Sequence, residues 1–417
     1  MLITTYINRG AIMNNFVNLR SEIGKLNAVM LHRPGIEVNQ LIPDYLERML
    51  SEDIPYLPAA QAEHDRFAQV LREHNVNVLY LEDLFEEAVK DELHKKEFIE
   101  DYLLVAEVQA ETLKDVIREY LSGKTPKELF YEVCKGIMRK DLADYPTKPL
   151  PLLVKDDYPF FTDPVSSMYF TRDISICIGN GMIVSSMSMP FRRREALLMR
   201  YIHKYHPSFK DTPLWYDYKL GYAIEGGDLL VLSDKVMAIG YGQRTSLGAI
   251  EYVAKKLLTN GYERIIVFNL PKSRKYMHLD VLCTMVDYDK FIVNPQVYAG
   301  EFDIYELTLN KDGSLGASCS SESLESIMKR ALKVPAVNFI QVGGGDPMIA
   351  AREHWNMGSN SLTIAPGEVI TYERNEVTNA LLEKNGVKVN TIPGSELSKG
   401  RGGPRCMSMP INRQPLN

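Results

Sequence analysis

The chain has 417 residues, of which 45% are hydrophobic and 24% are charged, and its formal net charge is −6. This size and composition predict a soluble globular protein with a large core, in one or two domains. The acidic balance disfavours a nucleic-acid partner, and no apolar run reaches the roughly 20 residues of a membrane helix. The five scattered cysteines and the lack of an export signal favour a reduced, cytoplasmic compartment.

The first predicted elements are a strand, a helix and a second strand. The segment LNAVMLHRP (26–34) predicts a strand that its proline ends. Apolar residues at helical spacing predict a helix over 59–75, and VNVLYL (76–81) predicts the next strand. The order strand, helix, strand is typical of an α/β fold.

The next region interrupts this alternation. Residues 83–145 have no strand signal and are rich in Glu, Lys, Leu and Ala, so they predict an inserted subdomain of three to five helices. Thr125 and Glu128 form the signature of a capping box at the start of one of these helices. The chain is thereby divided into a helical insertion and a strand-rich body made from residues 1–82 and 146–417.

The remainder of the chain predicts many short strands. Pairs of them are separated by short polar turns, such as Ser233-Asp234, and helices are predicted near 246–259 and 322–333. This order indicates about five strand–strand–helix–strand units.

Acidic residues and a histidine recur beside these strands. Asp173 lies in YFTRD, Glu225 and Asp228 flank two glycines in AIEGGDLL, and His278 and Asp280 lie in YMHLD. A spacing of two places His278 and Asp280 on the same face of an extended segment. Taken singly, each acid is more typical of a turn or a helix cap, and the histidine of a hydrogen-bonded structural residue.

One cysteine lies in an unusual context, the segment GRGGPRCMSMP (400–410). Glycine and proline bend the backbone around Cys406, and Arg401 and Arg405 are expected to favour its thiolate. The alternative is a tail loop with an incidental thiol. A thiolate with a histidine predicts covalent catalysis, and the surplus of carboxylates predicts a cationic, planar substrate group such as a guanidinium.

The motifs FTRD, EGGD, MHLD, WNxGSN and GRGGPRCMSMP, in this order, resemble those of bacterial arginine deiminases. The resemblance extends from about Ser21 to Pro410. It implies a five-bladed α/β propeller of the guanidino-group-modifying superfamily, with the helical insertion. It also implies hydrolysis of L-arginine to L-citrulline and ammonia in arginine catabolism, without a metal or cofactor. A homo-oligomer, dimer or tetramer, is expected.

The same resemblance implies a role for each residue of the site. Cys406 would be the nucleophile that forms a covalent amidino intermediate, and His278 the general acid and base. Glu225 would orient His278 or bind the guanidinium, which Asp173 and Asp280 would hold by its nitrogens. Three arginines are assigned to the substrate's α-carboxylate, and one more acid to substrate binding: Arg192, Arg244, Arg401 and Asp228.

Three positions depart from the family's usual residues. Ser167 replaces an Asn expected at the amino-acid end of the substrate, Ile174 replaces a Pro, and Met357 replaces an acid. The alternatives are therefore amidino transfer, deimination of agmatine or of a substituted arginine, and an inactive relative that only binds arginine. Three arginines at the far end disfavour agmatine, because it has no carboxylate.

Overall fold

Strands and helices alternate along residues 16–416, the part of the chain that this computed structural model describes. The predicted strand-rich body also includes residues 1–15 and Asn417, which lie outside the described residues. The strands are β1 (Leu26–Leu31), β2 (Asn77–Tyr80), β3 (Ile137–Met138), β4 (Phe160–Thr162), β5 (Ser175–Ile178), β6 (Gly181–Val184), β7 (Leu214–Tyr216), β8 (Leu229–Val231), β9 (Val236–Tyr241), β10 (Arg264–Asn269), β11 (Cys283–Met285), β12 (Lys290–Val293), β13 (Ile304–Leu309), β14 (Leu315–Cys319), β15 (Asn338–Gln341), β16 (Leu362–Ala365), β17 (Glu368–Tyr372), β18 (Lys388–Ile392) and β19 (Met409–Arg413). The α-helices are α1 (Leu57–Glu73), α2 (Leu81–Ala88), α3 (Glu92–Val105), α4 (Glu111–Ser122), α5 (Pro126–Lys135), α6 (Leu150–Leu153), α7 (Thr171–Ile174), α8 (Arg193–Tyr205), α9 (Leu247–Thr259), α10 (Pro295–Tyr298), α11 (Leu324–Leu332), α12 (Pro347–Trp355) and α13 (Glu376–Lys384).

Five sheets share one pairing pattern, in which the central strand has an antiparallel neighbour on one side and a parallel neighbour on the other. Their strand orders are β19–β1–β2, β5–β6–β7, β8–β9–β10, β11–β12–β15 and β16–β17–β18. A parallel pair needs a crossover connection, which α1, α8, α9 and α13 supply in four of the sheets. This order confirms the α/β class and matches the strand–strand–helix–strand units that the sequence predicts.

The first of these sheets closes the chain on itself. Strand β19, near the end of the chain, pairs antiparallel with β1, and Val29 lies opposite Pro410. The third sheet is wider than the others, because β13 and β14 extend it beyond β10. The arrangement of the five sheets as blades of a propeller stays a prediction.

The helical region begins close to where the sequence places it. Helices α2 to α5 fill most of residues 83–145, which agrees with the three to five helices predicted. The capping box is confirmed, because Thr125 Oγ1 accepts from the Glu128 amide and Glu128 Oε2 accepts from the Thr125 amide at 2.8 Å. The prediction that residues 83–145 contain no strand is wrong, because β3 lies within them and pairs with β4. A strand of two residues is too short to produce an alternating pattern.

The acidic motifs lie on short helical turns that precede strands. Helix α7 leads into β5, a 3-10 turn at Gly226–Asp228 leads into β8, and another at Leu279–Val281 precedes β11. The second turn packs against both of the others. Three sheets therefore present their entry turns at one place. None of the helices between residues 16 and 416 has the length and apolarity needed to cross a bilayer.

Candidate active site

The entry turns bring the predicted histidine and acids together in the interior. His278 immediately precedes its 3-10 turn and Asp280 lies within it, so the expectation that both lie on one extended segment is wrong. The turn is stabilised by Asp228, whose Oδ1 accepts from the Leu279 amide at 2.9 Å. As a result, His278 contacts Glu225 whereas Asp280 faces the cysteine. An alternating pattern cannot describe a turn of this kind.

Glycines in the cysteine loop allow close packing against aromatic rings. A Cβ on Gly400 would overlap the hydroxyl of Tyr169, and one on Gly402 would overlap the ring of Phe170. Neither glycine has a positive φ, whereas Arg401 between them has a φ of 66°. The prediction that these glycines serve to bend the backbone is therefore wrong, because close approach is what excludes a side chain at both positions.

The backbone around Cys406 is held by one amide side chain. Asn360 Oδ1 accepts from the Gly403 amide at 3.1 Å and from the Cys406 amide at 3.0 Å. Cys406 Sγ lies 3.6 Å from Asp280 Oδ2, which also accepts from Arg405 Nη1 at 2.7 Å. The nucleophile candidate and its nearest carboxylate are therefore both fixed by hydrogen bonds.

The charge state of Cys406 differs from what the sequence suggests. Burial raises the pKa of its thiol well above the usual value, and Asp280 and Asp173 raise it further. Arg405 lowers this pKa by less, since its guanidinium also pairs with Asp280 and with Glu22. Arg405 thus favours the thiolate, as expected, but burial and the two aspartates outweigh its effect on the thiol pKa. A bound cation would act in the opposite direction.

His278 is surrounded by carboxylates that favour its charged form. Its Nε2 lies 2.9 Å from Glu225 Oε2, and its Nδ1 lies 3.7 Å from Asp173 Oδ1. Burial opposes the charge, but Asp173, the hydrogen bond to Glu225 and Asp228 together raise the pKa of His278 from 6.5 to about 9. At neutral pH the ring is therefore an imidazolium that can give up a proton.

Glu225 remains ionised although it is fully buried. Ser188 donates to its Oε1 from both the amide, at 2.9 Å, and the hydroxyl, at 2.8 Å. Burial opposes the charge, but Arg244, His278 and Arg192 hold the pKa of Glu225 well below its usual range. A permanently charged partner fixes the orientation of the His278 ring.

Two of the three predicted carboxylate-binding arginines pair with acids of the site. Arg192 Nη1 donates to Asp173 Oδ2 at 2.9 Å, and Arg244 Nη1 donates to Glu225 Oε2 at 3.3 Å. These pairs neutralise part of the acidic cluster and hold its geometry. Contact of either arginine with a substrate stays a prediction.

Arg401 differs from these two arginines because no carboxylate within residues 16–416 forms a hydrogen bond with its guanidinium. Its residue is only 3% exposed, and Nε, Nη1 and Nη2 find no hydrogen-bond partner within residues 16–416. The guanidinium stacks on the ring of Trp355, with 3.5 Å between its carbon and the ring centroid. Burial lowers the pKa of Arg401 to about 10. A buried cation of this kind is poised for an anion.

A small cavity joins the two kinds of charge. Its lining residues are Leu50, Ser167, Phe170, Asp173, Arg192, Arg244, Arg274, Met277, His278, Gly400, Arg401 and Cys406. The candidate nucleophile, the acid–base histidine and the unpaired arginine thus face the same space. Asp228 is not among these residues; it is fully buried, and burial raises its pKa to about 7. A substrate contact for Asp228 stays a prediction.

Comparison with known proteins agrees with this geometry. Residues 47–413 match the arginine deiminase family. Curated arginine deiminases from Clostridium perfringens and Bacillus cereus are 46% and 43% identical to this chain over 410 residues. The alignments cover 96% of this chain and 98% of the clostridial protein, and 97% of this chain and 100% of the Bacillus protein.

The chain belongs to the arginine deiminase family.

Solved structures of other guanidino-modifying proteins have a similar fold. An amidinotransferase from Microseira wollei superposes with a TM-score of 0.55 at 15% identity, over 96% of this chain and 98% of that protein. The N-terminal domain of a cyanobacterial arginine dihydrolase gives 0.53 at 14% identity, over 93% and 99%. At these identities the likeness shows only the α/β fold.

The three departures from the family's usual residues lie in different surroundings. Ser167 lines the cavity. Ile174 is fully buried in the core, and Met357 is 1% exposed with a φ of 63°. Of the three, only Ser167 faces the space that joins Cys406 to Arg401.

Two residues without a predicted role also shape the site. Asn360, the last residue of the WNxGSN motif, holds the cysteine loop, and Arg274 lines the cavity. Arg274 Nε bonds Glu52 at 2.9 Å, while its buried Nη2 has no partner within residues 16–416. The signal for Arg274 was its position four residues before His278, but a charged residue near a motif does not show which way its side chain points.

Asp173, Glu225 and His278 also have the spacing of metal ligands, with ligand atoms within 4.8 Å of one another. However, Arg192 lies 2.9 Å from Asp173 and Arg244 lies 3.3 Å from Glu225. Two fixed positive charges disfavour a divalent cation here. The cluster fits the dispersed charge and N–H donors of a guanidinium better than a metal ion.

Proposed function

We propose that this chain is an enzyme that hydrolyses L-arginine to L-citrulline and ammonia. The observation that carries the proposal is the complementary charge at the two ends of the site. Near Cys406, one oxygen each of Asp173 and Asp280 is buried without a hydrogen-bond partner among residues 16–416, and at the other end all three nitrogens of the Arg401 guanidinium lack one there. L-Arginine presents a guanidinium and a carboxylate in that order. The family relatives, named arginine deiminases, support the same reading.

The guanidinium would bind between the two aspartates. Asp173 Oδ1 and Asp280 Oδ1 would accept its N–H groups, which satisfies both buried oxygens. The cation would also offset the effect of burial on Cys406, whose thiol pKa the same two carboxylates raise. Substrate binding would thereby release the thiol proton to solvent and generate the thiolate beside the guanidinium carbon.

In the first step, Cys406 Sγ would form a bond to the guanidinium carbon. His278, charged at neutral pH, would protonate one terminal nitrogen, and that C–N bond would break to release ammonia. The product on the enzyme is an amidino group bonded to sulfur. Glu225, at 2.9 Å from His278, would orient the ring throughout.

In the second step, the now neutral His278 would take a proton from water. The hydroxide oxygen would bond to the same carbon, its remaining proton would pass to sulfur as the C–S bond breaks, and citrulline would leave with Cys406 restored as a thiol and His278 as an imidazolium. The two proton transfers use one residue in opposite directions. This matches a histidine buried beside the nucleophile.

At the far end, Arg401 and Arg274 would take the α-carboxylate. Both line the cavity, and each has buried nitrogen without a hydrogen-bond partner among the described residues. Arg274 lies close enough to lower the pKa of Arg401, so an anion between them would relieve that repulsion. Arg192 and Arg244 would then contribute mainly by holding Asp173 and Glu225, with any contact to the carboxylate added to that role.

We also propose the finer features of fold and assembly that the sequence suggests. The five similarly paired sheets would be the blades of a propeller, with residues 83–145 as a helical insertion into a body made of 1–82 and 146–417. The protein would act in the cytoplasm as a homo-oligomer, a dimer or a tetramer, in arginine catabolism.

The test is turnover by the purified chain. L-Arginine alone should give citrulline and ammonia in a one-to-one ratio. Agmatine should be at least about a hundredfold poorer in kcat/KM, on the order of one buried charged contact, because it lacks the carboxylate. An Nω-methylated arginine should also be a poorer substrate, because its methyl group replaces an N–H donor of the guanidinium. Transfer of the amidino group to an added amine without ammonia release would contradict the proposal, as would a methylated arginine that is the better substrate. Ser167→Asn is the matched variant for the second outcome, because Ser167 lines the cavity.

A further inference from the structure

Glu63 is a buried carboxylate outside the substrate cavity, in the middle of α1. Its residue is 6% exposed, and no Lys, Arg or His within residues 16–416 forms an ion pair with it. Its Oε1 accepts from the Ser395 amide at 2.9 Å and hydroxyl at 2.7 Å. Its Oε2 accepts from the Glu396 amide at 3.0 Å and the Leu397 amide at 2.9 Å. A buried charge without a counter-ion needs such donors, and here three consecutive residues supply all of them.

These donors belong to the segment that carries the functional residues. We call residues 395–406 the anchored loop. It begins with the residues that donate to the Glu63 carboxylate and ends at Cys406. A 3-10 turn at Leu397–Gly400 connects the anchor to Arg401, whose amide donates to the Ser398 carbonyl at 2.9 Å. A short turn with its own hydrogen bonds transmits the position of its first residue to its last.

The contact between α1 and the anchored loop is reciprocal. Glu396 Oε2 accepts from the Tyr56 amide at 2.7 Å, at the N-terminus of α1. Each partner thus supplies a carboxylate to unsatisfied backbone N–H groups of the other. Helix and loop therefore form one unit.

Arg401 depends on this unit more than Cys406 does. Within residues 16–416 the Arg401 guanidinium has no hydrogen bond. The backbone of Arg401 adopts a left-handed conformation, which is unfavourable for a residue that has a Cβ. Its place is thus set by the backbone that leads to it. Cys406 has separate support from Asn360 and, through Arg405, from Asp280.

We propose that Glu63 is a positioning residue for Arg401, and that it sets the preference for a substrate with a carboxylate without taking part in the bond-making steps. The inference rests on the proposed function, since it assigns Arg401 to the substrate carboxylate. It places a determinant of specificity on a helix that does not touch the substrate.

The test replaces the carboxylate by its amide, E63Q. The new amide nitrogen would face backbone N–H groups and could not accept hydrogen bonds from them. About half of the hydrogen bonds that the Glu63 carboxylate accepts would therefore be lost. We expect kcat/KM for L-arginine to fall about 10- to 100-fold, chiefly through a higher KM, while kcat/KM for agmatine changes less than about threefold. E73Q is the matched control on the same helix, because Glu73 is exposed and its side chain bonds to neighbouring side chains of α1. This variant should leave kcat/KM for both substrates unchanged.

A double-mutant cycle with Arg401→Ala separates positioning from a general structural effect. If Glu63 acts through Arg401, E63Q should change the arginine kcat/KM by less than about twofold in the R401A background. Additive losses, or an equal loss with agmatine, would overturn the inference. Should E63Q fail to fold, as judged by its melting curve, E63D carries the same cycle, because it keeps the charge and only shortens the reach.

These outcomes are distinct from failure of the proposed function. If the wild-type chain does not convert L-arginine, the proposed function is wrong, and the assignment of Glu63 falls with it. Suppose instead that the wild type converts arginine, that R401A no longer prefers arginine to agmatine, and that E63Q still does. In that case only the inference about Glu63 is wrong.

Discussion

The two ends of the cavity differ in how completely the protein satisfies its own charges. Around Cys406 and His278, the acids Asp173, Glu225 and Asp280 each have a protein cation within hydrogen-bond distance. At the other end, the Arg401 guanidinium has no hydrogen bond within the described residues and rests on the half-exposed ring of Trp355.

Under the proposed function, this difference separates chemistry from recognition. The end assigned to proton transfer would be organised before substrate arrives, because reorganising charged groups during a reaction would add to its barrier. The end assigned to the amino acid would be completed by the ligand, since an unpaired buried cation is costly until an anion joins it. The experiments below test this division.

The largest effect is expected for Cys406→Ser. A serine hydroxyl is rarely ionised near neutral pH, so turnover should fall by several orders of magnitude while the fold is kept. Mass spectrometry of acid-quenched enzyme should find the substrate adduct on Cys406 in the wild type only. Cys319→Ser, at an exposed thiol, is the control. An adduct on another cysteine would contradict the assignment of Cys406 as the nucleophile.

The next effect concerns the two aspartates. Asp280→Asn and Asp173→Asn should each lower kcat/KM for arginine by about 30- to 1,000-fold, on the order of 2–4 kcal/mol for a buried charged contact. Asp280→Asn should also lower the free energy of unfolding more, because Arg405 then keeps one acidic partner among the described residues, Glu22, whereas Arg192 in Asp173→Asn keeps both Glu195 and Glu225. Kinetics and urea unfolding check both parts. Near-normal kcat/KM in either variant contradicts the guanidinium contact.

A selective effect is expected for Arg401→Ala. It should lower kcat/KM for L-arginine by about a hundredfold and leave agmatine within a few-fold, because only arginine has a carboxylate to lose. Equal losses on both substrates would mean that the two ends are not independent. Arg274→Gln is the companion variant, with a smaller loss expected, since Glu52 already shares its charge.

The smallest effect is a pH dependence. The pKa of His278 is raised from 6.5 to about 9, so the imidazolium that protonates the leaving group persists to about pH 9 and is lost above it. We expect kcat/KM to fall above that pH for arginine and agmatine alike, with their ratio unchanged up to about pH 9 because the pKa of Arg401, lowered to about 10, lies above that range. A ratio that shifts across pH 7–9, or a fall centred near pH 7, would contradict this assignment.

The same shift predicts the direction of a stability change. A raised folded-state pKa means that charged His278 stabilises the fold fully below pH 6.5, and that this contribution is lost as the pH rises towards 9. The free energy of unfolding of the wild type relative to His278→Asn should therefore decrease over this range.

The sequence predicts the members of the site better than their pairing. Motif order brought Cys406, His278, Glu225 and Asp173 to attention, and the structure places them together. The ion pairs of Arg192 and Arg244 with acids of the site each join side chains 19 residues apart, which is beyond the reach of helix or strand periodicity. Short turns were also beyond reach, as with the 3-10 turn at Asp280.

The fold shows the same limit. Strand and helix types follow from apolar periodicity and from caps such as Thr125, which act within a few residues. Closure of the first sheet by β19 depends on a contact between residues almost 400 positions apart. The role of the loop glycines required knowledge of which aromatic rings would lie against them.

That closing strand has a consequence for how the protein is made. Cys406 lies only three residues before β19, which pairs with β1. While the chain is being synthesised, four of the five sheets can form from strands already translated, but the first sheet must wait for Met409–Arg413 to emerge from the ribosome. The candidate nucleophile is thus the last functional group to reach its final surroundings. A prematurely terminated chain that stops before β19 would leave β1 without its antiparallel neighbour, and the Cys406 segment would depend on hydrogen bonds such as those to Asn360 and, through Arg405, to Asp280.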